Sequence, residues 1–179
     1  MFVRTPRLTL RPAWIEDAPE LARAIGHESV VRNLSLVPWP YRLQDAETFL
    51  SRPADGRGAF FAICLPETGA IIGGIGVHRA DEFGYWLTPS AWGRGYATEA
   101  GRGVLGAARH AMGLKRLTSS HFVDNPASGR VLRKLGFRST GRIGKRFSIS
   151  RGAEVDAVEF RADLDDGVDC MGHNALLAA

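Results

Sequence analysis

The stretch Trp92-Gly93-Arg94-Gly95-Tyr96-Ala97-Thr98-Glu99-Ala100 carries the most legible chemistry in this chain of 179 residues. It is a glycine-punctuated turn between a short apolar strand, Phe83 to Leu87, and a following helix. Glycine admits positive φ and lets a ligand approach the main chain, while the first turn of a helix offers N–H groups without helical acceptors at the positive end of the dipole. The main-chain N–H groups of Gly93 to Thr98 therefore make a seat for a phosphate or diphosphate without any lysine. Downstream, Gly101-Arg102-Gly103-Val104-Leu105-Gly106 is a literal GxGxxG, with Asp124 near the spacing of a ribose-binding acid. A dinucleotide fingerprint must turn directly out of a strand, but Thr98, Glu99 and Ala100 precede this one in helical phase, so it is read as helix.

The elements around the turn follow from periodicity. Ala97, Ala100, Val104, Leu105, Ala108 and Met112 recur at three- and four-residue steps and predict an amphipathic helix that Gly113 closes. A strand from Arg116 to Val123 leads to Asn125, a good N-cap, and Pro126, suited to the first helical position. The second helix carries Val131, Leu132 and Leu135 and stops at Gly136, with Phe137 as hydrophobic closure. Earlier, residues 7 to 11 alternate as an opening strand, and Glu16 to Ile25 read as a helix with Leu21, Ala22 and Ile25 inward. Another helix runs from Leu43 to Arg52, after the proline-stiffened aromatic loop Val37-Pro38-Trp39-Pro40-Tyr41. Phe60 to Leu65 and Ile71 to His78 form a hairpin through Pro66-Glu67-Thr68-Gly69. After Gly136 come short strands at Arg138 to Gly141, Arg146 to Ser150 and Val155 to Asp163, the last two joined through Arg151-Gly152. Residues 164–179 read as a C-terminal tail.

Length and composition set outer limits. The chain suits one domain, 1–179, with a core of about 5–163. Hydrophobic residues make up 45% of it, yet no apolar run reaches a membrane span and the first residues lack a signal-peptide core, so a cytoplasmic protein with no membrane partner is expected. Cys64 and Cys170 have no metal-ligand spacing, and no metal site is expected. The net charge of +4 favours anionic ligands, but the arginines are scattered, and no direct nucleic-acid binding is expected.

Taken in order, these segments resemble the GCN5-related N-acetyltransferase (GNAT) superfamily, in the branch similar to the RimJ/RimL-like enzymes that acetylate ribosomal-protein N-termini. Thr5-Pro6-Arg7-Leu8-Thr9-Leu10-Arg11-Pro12 resembles its first strand, and Ile71-Ile72-Gly73-Gly74-Ile75-Gly76-Val77 its central hairpin. Gly84-Tyr85-Trp86-Leu87 is similar to the strand before the phosphate loop, and Asn125-Pro126-Ala127-Ser128 through Leu135-Gly136-Phe137 to the closing helix. The resemblance implies an α/β (α+β) domain: a mixed, mostly antiparallel sheet of about six or seven strands, splayed at its centre and flanked by about four helices. Two positions depart from the superfamily: Trp92 stands where Gln or Arg usually opens the pyrophosphate loop, and His78 to Glu82 is a short link.

The same resemblance implies acetyl-CoA as cosubstrate and acetyl transfer to a primary amine by direct attack in a ternary complex. Such a reaction needs a neutral amine, a positioned thioester, a donor for the developing oxyanion and a proton for the departing thiolate. By resemblance, Trp86 and Leu87 pair with pantetheine, Trp92, Gly93, Arg94, Gly95, Tyr96, Ala97 and Thr98 hold the diphosphate, and Asn125 and Ser128 lie near pantetheine and sulfur. Ser128 is then the expected proton donor, with Tyr85 as the second candidate acid. For the base, Glu82, Asp81 and His78 at the mouth of the strand pair are candidates, none privileged by sequence, with Glu154, Asp156 and Glu159 on the final hairpin as others. The acceptor implied is a protein N-terminus, with a ribosomal protein as candidate partner and a homodimer as candidate assembly. The alternatives are a small-molecule amine such as a polyamine or antibiotic, or a non-catalytic acyl-CoA-binding module.

Overall fold

A computed structural model describes residues 1–52, 58–78 and 81–164; the expected tail beyond Leu164 lies outside them. The first strands, β1 (Val3–Arg4) and β2 (Thr9–Arg11), form a hairpin and are followed by a 3-10 turn at Ile15–Asp17 and three short helices, α1 (Ala18–Ile25), α2 (Glu28–Val31) and α3 (Leu43–Leu50). Next come β3 (Ala59–Cys64), β4 (Ile71–His78) and β5 (Glu82–Leu87), then α4 (Tyr96–His110), β6 (Arg116–Phe122), α5 (Pro126–Lys134), β7 (Arg138–Ser148) and β8 (Ala153–Asp163). The strands make one sheet in the order β1-β2-β3-β4-β5-β6-β8-β7. Every neighbouring pair is antiparallel except β5 and β6, which are parallel and joined through α4.

Helices cover both faces of the sheet, as period-two side-chain alternation requires of a sheet buried on both sides. Phe61, Ile63, Ile75, Phe83 and Leu117 face α4 and α5, where they meet Val104, Leu105, Leu132, Leu135 and Phe137. On the other face Ala62, Cys64 and Ile71 meet Ala18, Leu21 and Ala24 of α1 and Ala46 of α3. β4 is buried from Ile71 to Val77, and its glycines are required by close approach: a Cβ on Gly76 would run into the Ala59 carbonyl of β3. Gly101, the first residue of the GxGxxG run, lies inside α4, where a Cβ would collide with Leu135 at the end of α5. That run is helix–helix packing and contains no phosphate turn.

The expected class and layering hold, with eight strands in the sheet and five helices around it among the described residues. The opening strand is shorter than residues 7 to 11, because Thr9–Arg11 alone pairs with β3 while Val3–Arg4 adds an edge strand. The helix expected from Glu16 begins at Ala18, since the Asp17 carboxylate accepts the Trp14 N–H at 2.8 Å and binds Arg11 at 2.7 and 2.8 Å, which holds the chain in a tighter turn. Leu21 and Ile25 are buried as expected, together with Ala18 and Ala24, whereas Ala22 is only partly covered. Arg138 to Gly141 and Arg146 to Ser150 are not separate strands: one strand, Arg138–Ser148, runs through a register shift between Ser139 and Ile143 at which Gly141 has φ 76°.

Candidate active site

The sheet comes apart between its two parallel strands. β5 and β6 share a single pairing, Glu82 with Thr118, and beyond it the Ser119 hydroxyl donates to the Phe83 carbonyl at 2.9 Å. Past that point the strands diverge, although each remains supported on its outer side: β5 pairs with β4 as far as Leu87, and β6 pairs with β8 along its whole length. Main-chain groups alternate in direction along a strand. The Thr88 N–H donates to the Ile72 carbonyl at 2.9 Å, so Trp86 also turns its main chain to β4, whereas Tyr85 and Leu87 turn theirs into the gap. The Leu87 carbonyl already accepts the Trp92 indole N–H at 2.8 Å. The Tyr85 N–H and carbonyl and the Leu87 N–H are left for an extended ligand. Trp86, expected at this edge, is placed elsewhere: its side chain packs on the α1–α3 face with Tyr41 and Phe49.

At the open end of the gap lies the glycine turn. Gly93 and Gly95 have φ 74° and 80°, values that cost an L side chain dearly, and α4 starts at Tyr96 with Gly95 as N-cap. No side chain caps this helix, and among the described residues the N–H groups of Tyr96, Ala97 and Thr98 have no acceptor. Gly93, Arg94 and Gly95 are exposed beside them. Trp92 folds back on β5 through its indole bond and so braces the loop against the strand. The loop and the parted edge thus fit a ligand with a diphosphate head and an extended amide-bearing arm.

Two hydroxyls face each other across the gap. The Tyr85 phenol lies 2.9 Å from the Ser128 Oγ and 3.4 Å from the Ser128 carbonyl. α5 fixes Ser128: Asn125 is its N-cap, and the Asn125 side chain accepts the Ser128 N–H at 3.3 Å. Gly129 lets α5 approach β6, since a Cβ there would collide with the His121 ring. Burial pushes the Tyr85 phenol up to about 12 against a smaller opposite pull from Ser128, so it keeps its proton throughout the neutral range.

The candidate bases occupy the other face of the same strand. Glu82 lies three residues, about 10 Å, back from Tyr85 and points oppositely; Arg146 of β7 holds its carboxylate at 2.8 Å. His78 is its register partner on β4, and the His78 ring lies over Gly84, whose missing side chain leaves a hollow. Burial pulls the His78 imidazole below its ordinary value, partly offset by the Glu82 charge. Asp81 sits in the connecting turn at φ 57°. Of the final hairpin's acids, Asp156 pairs with Lys145 at 3.3 Å, and Glu159 lines an outer hollow with Arg138 and Arg142. The aromatic loop divides its work: Val37 and Tyr41 pack with Val30, Val31 and Trp86, while Trp39 lines a cavity with Glu28, Arg32, Ser150 and Arg151.

Two groups went unread in the sequence. Arg151, at the β7–β8 tip, donates to the Arg32 carbonyl at 2.7 Å, forms a fork on Asp124 at 2.8 and 3.1 Å and lies over the Phe122 ring. Arg7 and Thr5 bind Glu99 in the first turn of α4. A carboxylate at a helix end that must receive an anion was the available signal for the second group.

A mixed sheet parted between parallel strands, with a glycine-turned helix N-terminus at the opening, defines the class of acyl-CoA-dependent transferases. Residues 7–138 match the acetyltransferase (GNAT) domain, and the chain belongs to that family. It is an N-acetyltransferase that uses acetyl-CoA as cosubstrate. It is 29% identical over 164 residues to the uncharacterized N-acetyltransferase YoaA of Bacillus subtilis (strain 168), covering 87% of this chain and 92% of YoaA. Among solved structures it is similar in fold to RimL, a ribosomal L7/L12 α-N-protein acetyltransferase in complex with coenzyme A, with TM-score 0.79, 18% identity and coverage of 92% and 99% of the two chains. It is likewise similar to the microcin C7 self-immunity acetyltransferase MccE in complex with acetyl-CoA and AMP, with TM-score 0.74, 20% identity and coverage of 88% and 93%.

Proposed function

We propose that this N-acetyltransferase modifies the N-terminal amine of a protein, in the cytoplasm, by direct attack in a ternary complex. The observation that carries the reading is the parted β5–β6 edge with the Tyr85–Ser128 hydroxyl pair spanning it. Acetyl-CoA, when bound, supplies the thioester. The residues proposed to hold it are Leu87 and Tyr85 through main-chain groups along the arm, Gly93 to Thr98 through N–H groups at the diphosphate, and Asn125 beside the arm. Ser128 holds the proton that the departing sulfur needs, and Tyr85, neutral behind it, replenishes that proton. On the opposite face the amine's proton leaves through water toward the His78–Glu82 pair.

The choice of acceptor rests on charge. Two carboxylates beside the parted strands, Glu82 of β5 and Asp124 after β6, are each engaged by arginine. Polycationic acceptors such as polyamines or aminoglycosides would be selected by uncompensated acids, so a singly charged peptide amine suits this surface better. RimL, similar in fold, acts on such an amine. The test is CoA release in the presence of acetyl-CoA with peptides bearing free N-termini, with N-terminally blocked versions carrying lysine, and with polyamines and aminoglycosides. The reading predicts turnover with free N-termini; turnover only with the small cations would overturn it.

A further inference from the structure

We propose that Arg7 is a positioning residue for the nucleotide seat, stapling the β1–β2 turn to the glycine loop and cancelling a carboxylate that would otherwise repel the diphosphate. The proposal rests on the assignment of the Gly93 to Thr98 loop as that seat. Glu99 stands in the first turn of α4, at the helix end meant to receive an anion. Its Oε1 accepts the Thr5 hydroxyl at 2.7 Å and the Arg7 N–H at 2.8 Å, and its Oε2 accepts Arg7 Nε at 2.7 Å and meets Nη2 at 2.6 Å. Both oxygens are thus satisfied by Thr5 and Arg7 of the β1–β2 turn. Burial pushes the Glu99 carboxyl up, but the bonds from Thr5 and Arg7 outweigh it and hold the group below its ordinary value. The carboxylate stays charged, and its charge is met by a guanidinium fork.

The same guanidinium shapes the loop. Its Nη1 donates to the Arg94 carbonyl at 3.1 Å, between the two positive-φ glycines, and it lies over the Tyr96 ring at 4.8 Å from the centroid. In a planar trans peptide the carbonyl and the next N–H point in opposite directions. Holding the Arg94 carbonyl toward Arg7 therefore aims the Gly95 N–H away from Arg7, to the open side of the loop. Lysine could cancel charge but could not make the fork and the carbonyl bond together.

The test compares wild type with Arg7→Ala, Arg7→Lys, Glu99→Gln, Arg7→Ala/Glu99→Gln and Gly95→Val, by steady-state kinetics in acetyl-CoA and calorimetric binding of CoA. Arg7→Ala is expected to raise KM for acetyl-CoA and Kd for CoA about tenfold with kcat within about twofold, and Arg7→Lys to recover only part of that. Adding Glu99→Gln to Arg7→Ala should recover about threefold, because the uncompensated charge is gone. Unchanged KM and Kd in a folded Arg7→Ala protein would overturn the proposal, and a raised KM that Glu99→Gln does not recover would overturn its electrostatic half. If Arg7→Ala fails to fold, Arg7→Lys gives the same reading, with an unchanged KM again overturning the proposal. Gly95→Val separates the two assignments: CoA binding lost there but intact in Arg7→Ala sinks only the staple, whereas CoA binding intact in both sinks the seat itself.

Discussion

Ser128 and Tyr85 come together from positions 43 apart in the chain, and their 2.9 Å contact gives the proposed proton path two hydroxyls in series. Ser128→Ala is expected to lower kcat by about a hundredfold and Tyr85→Phe by about tenfold, the usual scale for a general acid and its partner. The double variant should be little worse than Ser128→Ala, because residues acting as one unit are not additive; single-turnover rates at saturating acetyl-CoA check this. The pH profile separates the two faces of the strand. Burial lowers the His78 imidazole from 6.5 and the Glu82 charge opposes that shift. A base of this kind is lost as pH falls through its pKa, so kcat/KM should decline on an acid limb below pH 6.5. Removing the opposing charge with Glu82→Gln should move that limb lower still. Tyr85, near 12, should add no alkaline limb below about pH 10. The Asn125-to-Ser128 spacing was legible because capping is local chemistry. That Tyr85 reaches Ser128, and that Arg146 occupies Glu82, depends on packing between remote segments, which no short-range pattern encodes.

The glycine loop is the element most completely written in the sequence. Gly93 and Gly95 occupy the left-handed region that their spacing suggested, and Tyr96 opens the helix. Gly95→Val should cost about 1–2 kcal/mol of stability through its backbone and raise KM for acetyl-CoA at least about tenfold; denaturant melts and kinetics read the two effects separately. The parting of β5 from β6 was expected only through resemblance, since nothing in either strand marks where pairing stops. α2 is a four-residue helix below the length at which periodicity speaks, and the bulge that unites β7 is set by its pairing with β8. The β7–β8 tip is held by the Ile149 N–H on the Ser35 carbonyl at 2.9 Å, by the Ser150 hydroxyl on the Val31 carbonyl at 3.3 Å and by Arg151. Arg151 ties it to α2 and to Asp124, next to the α5 cap, with its own side chain 19% exposed. Arg151→Ala should lower stability by about 1–3 kcal/mol, seen as a drop of several degrees in thermal unfolding.

Across the whole molecule, the helices on the two faces divide the labour. On one face α4 follows the glycine loop and α5 supplies Ser128 to the Tyr85 phenol of β5, while α1 to α3 pack on the opposite face, that of Glu82. The first half was readable because its motifs are contiguous. The second is assembled from loops and hairpin tips whose meeting is purely tertiary, which is why the acceptor was not legible. Among the described residues no helix is long and apolar enough to cross a membrane. The measurement that bears most directly on the account is a crystal structure with CoA bound. The account predicts diphosphate oxygens within hydrogen-bonding distance of the N–H groups from Gly93 to Thr98, and the pantetheine arm paired with Tyr85 and Leu87 between β5 and β6. A CoA seated anywhere else, with those amides bonded within the protein and the two strands zipped together, would contradict it.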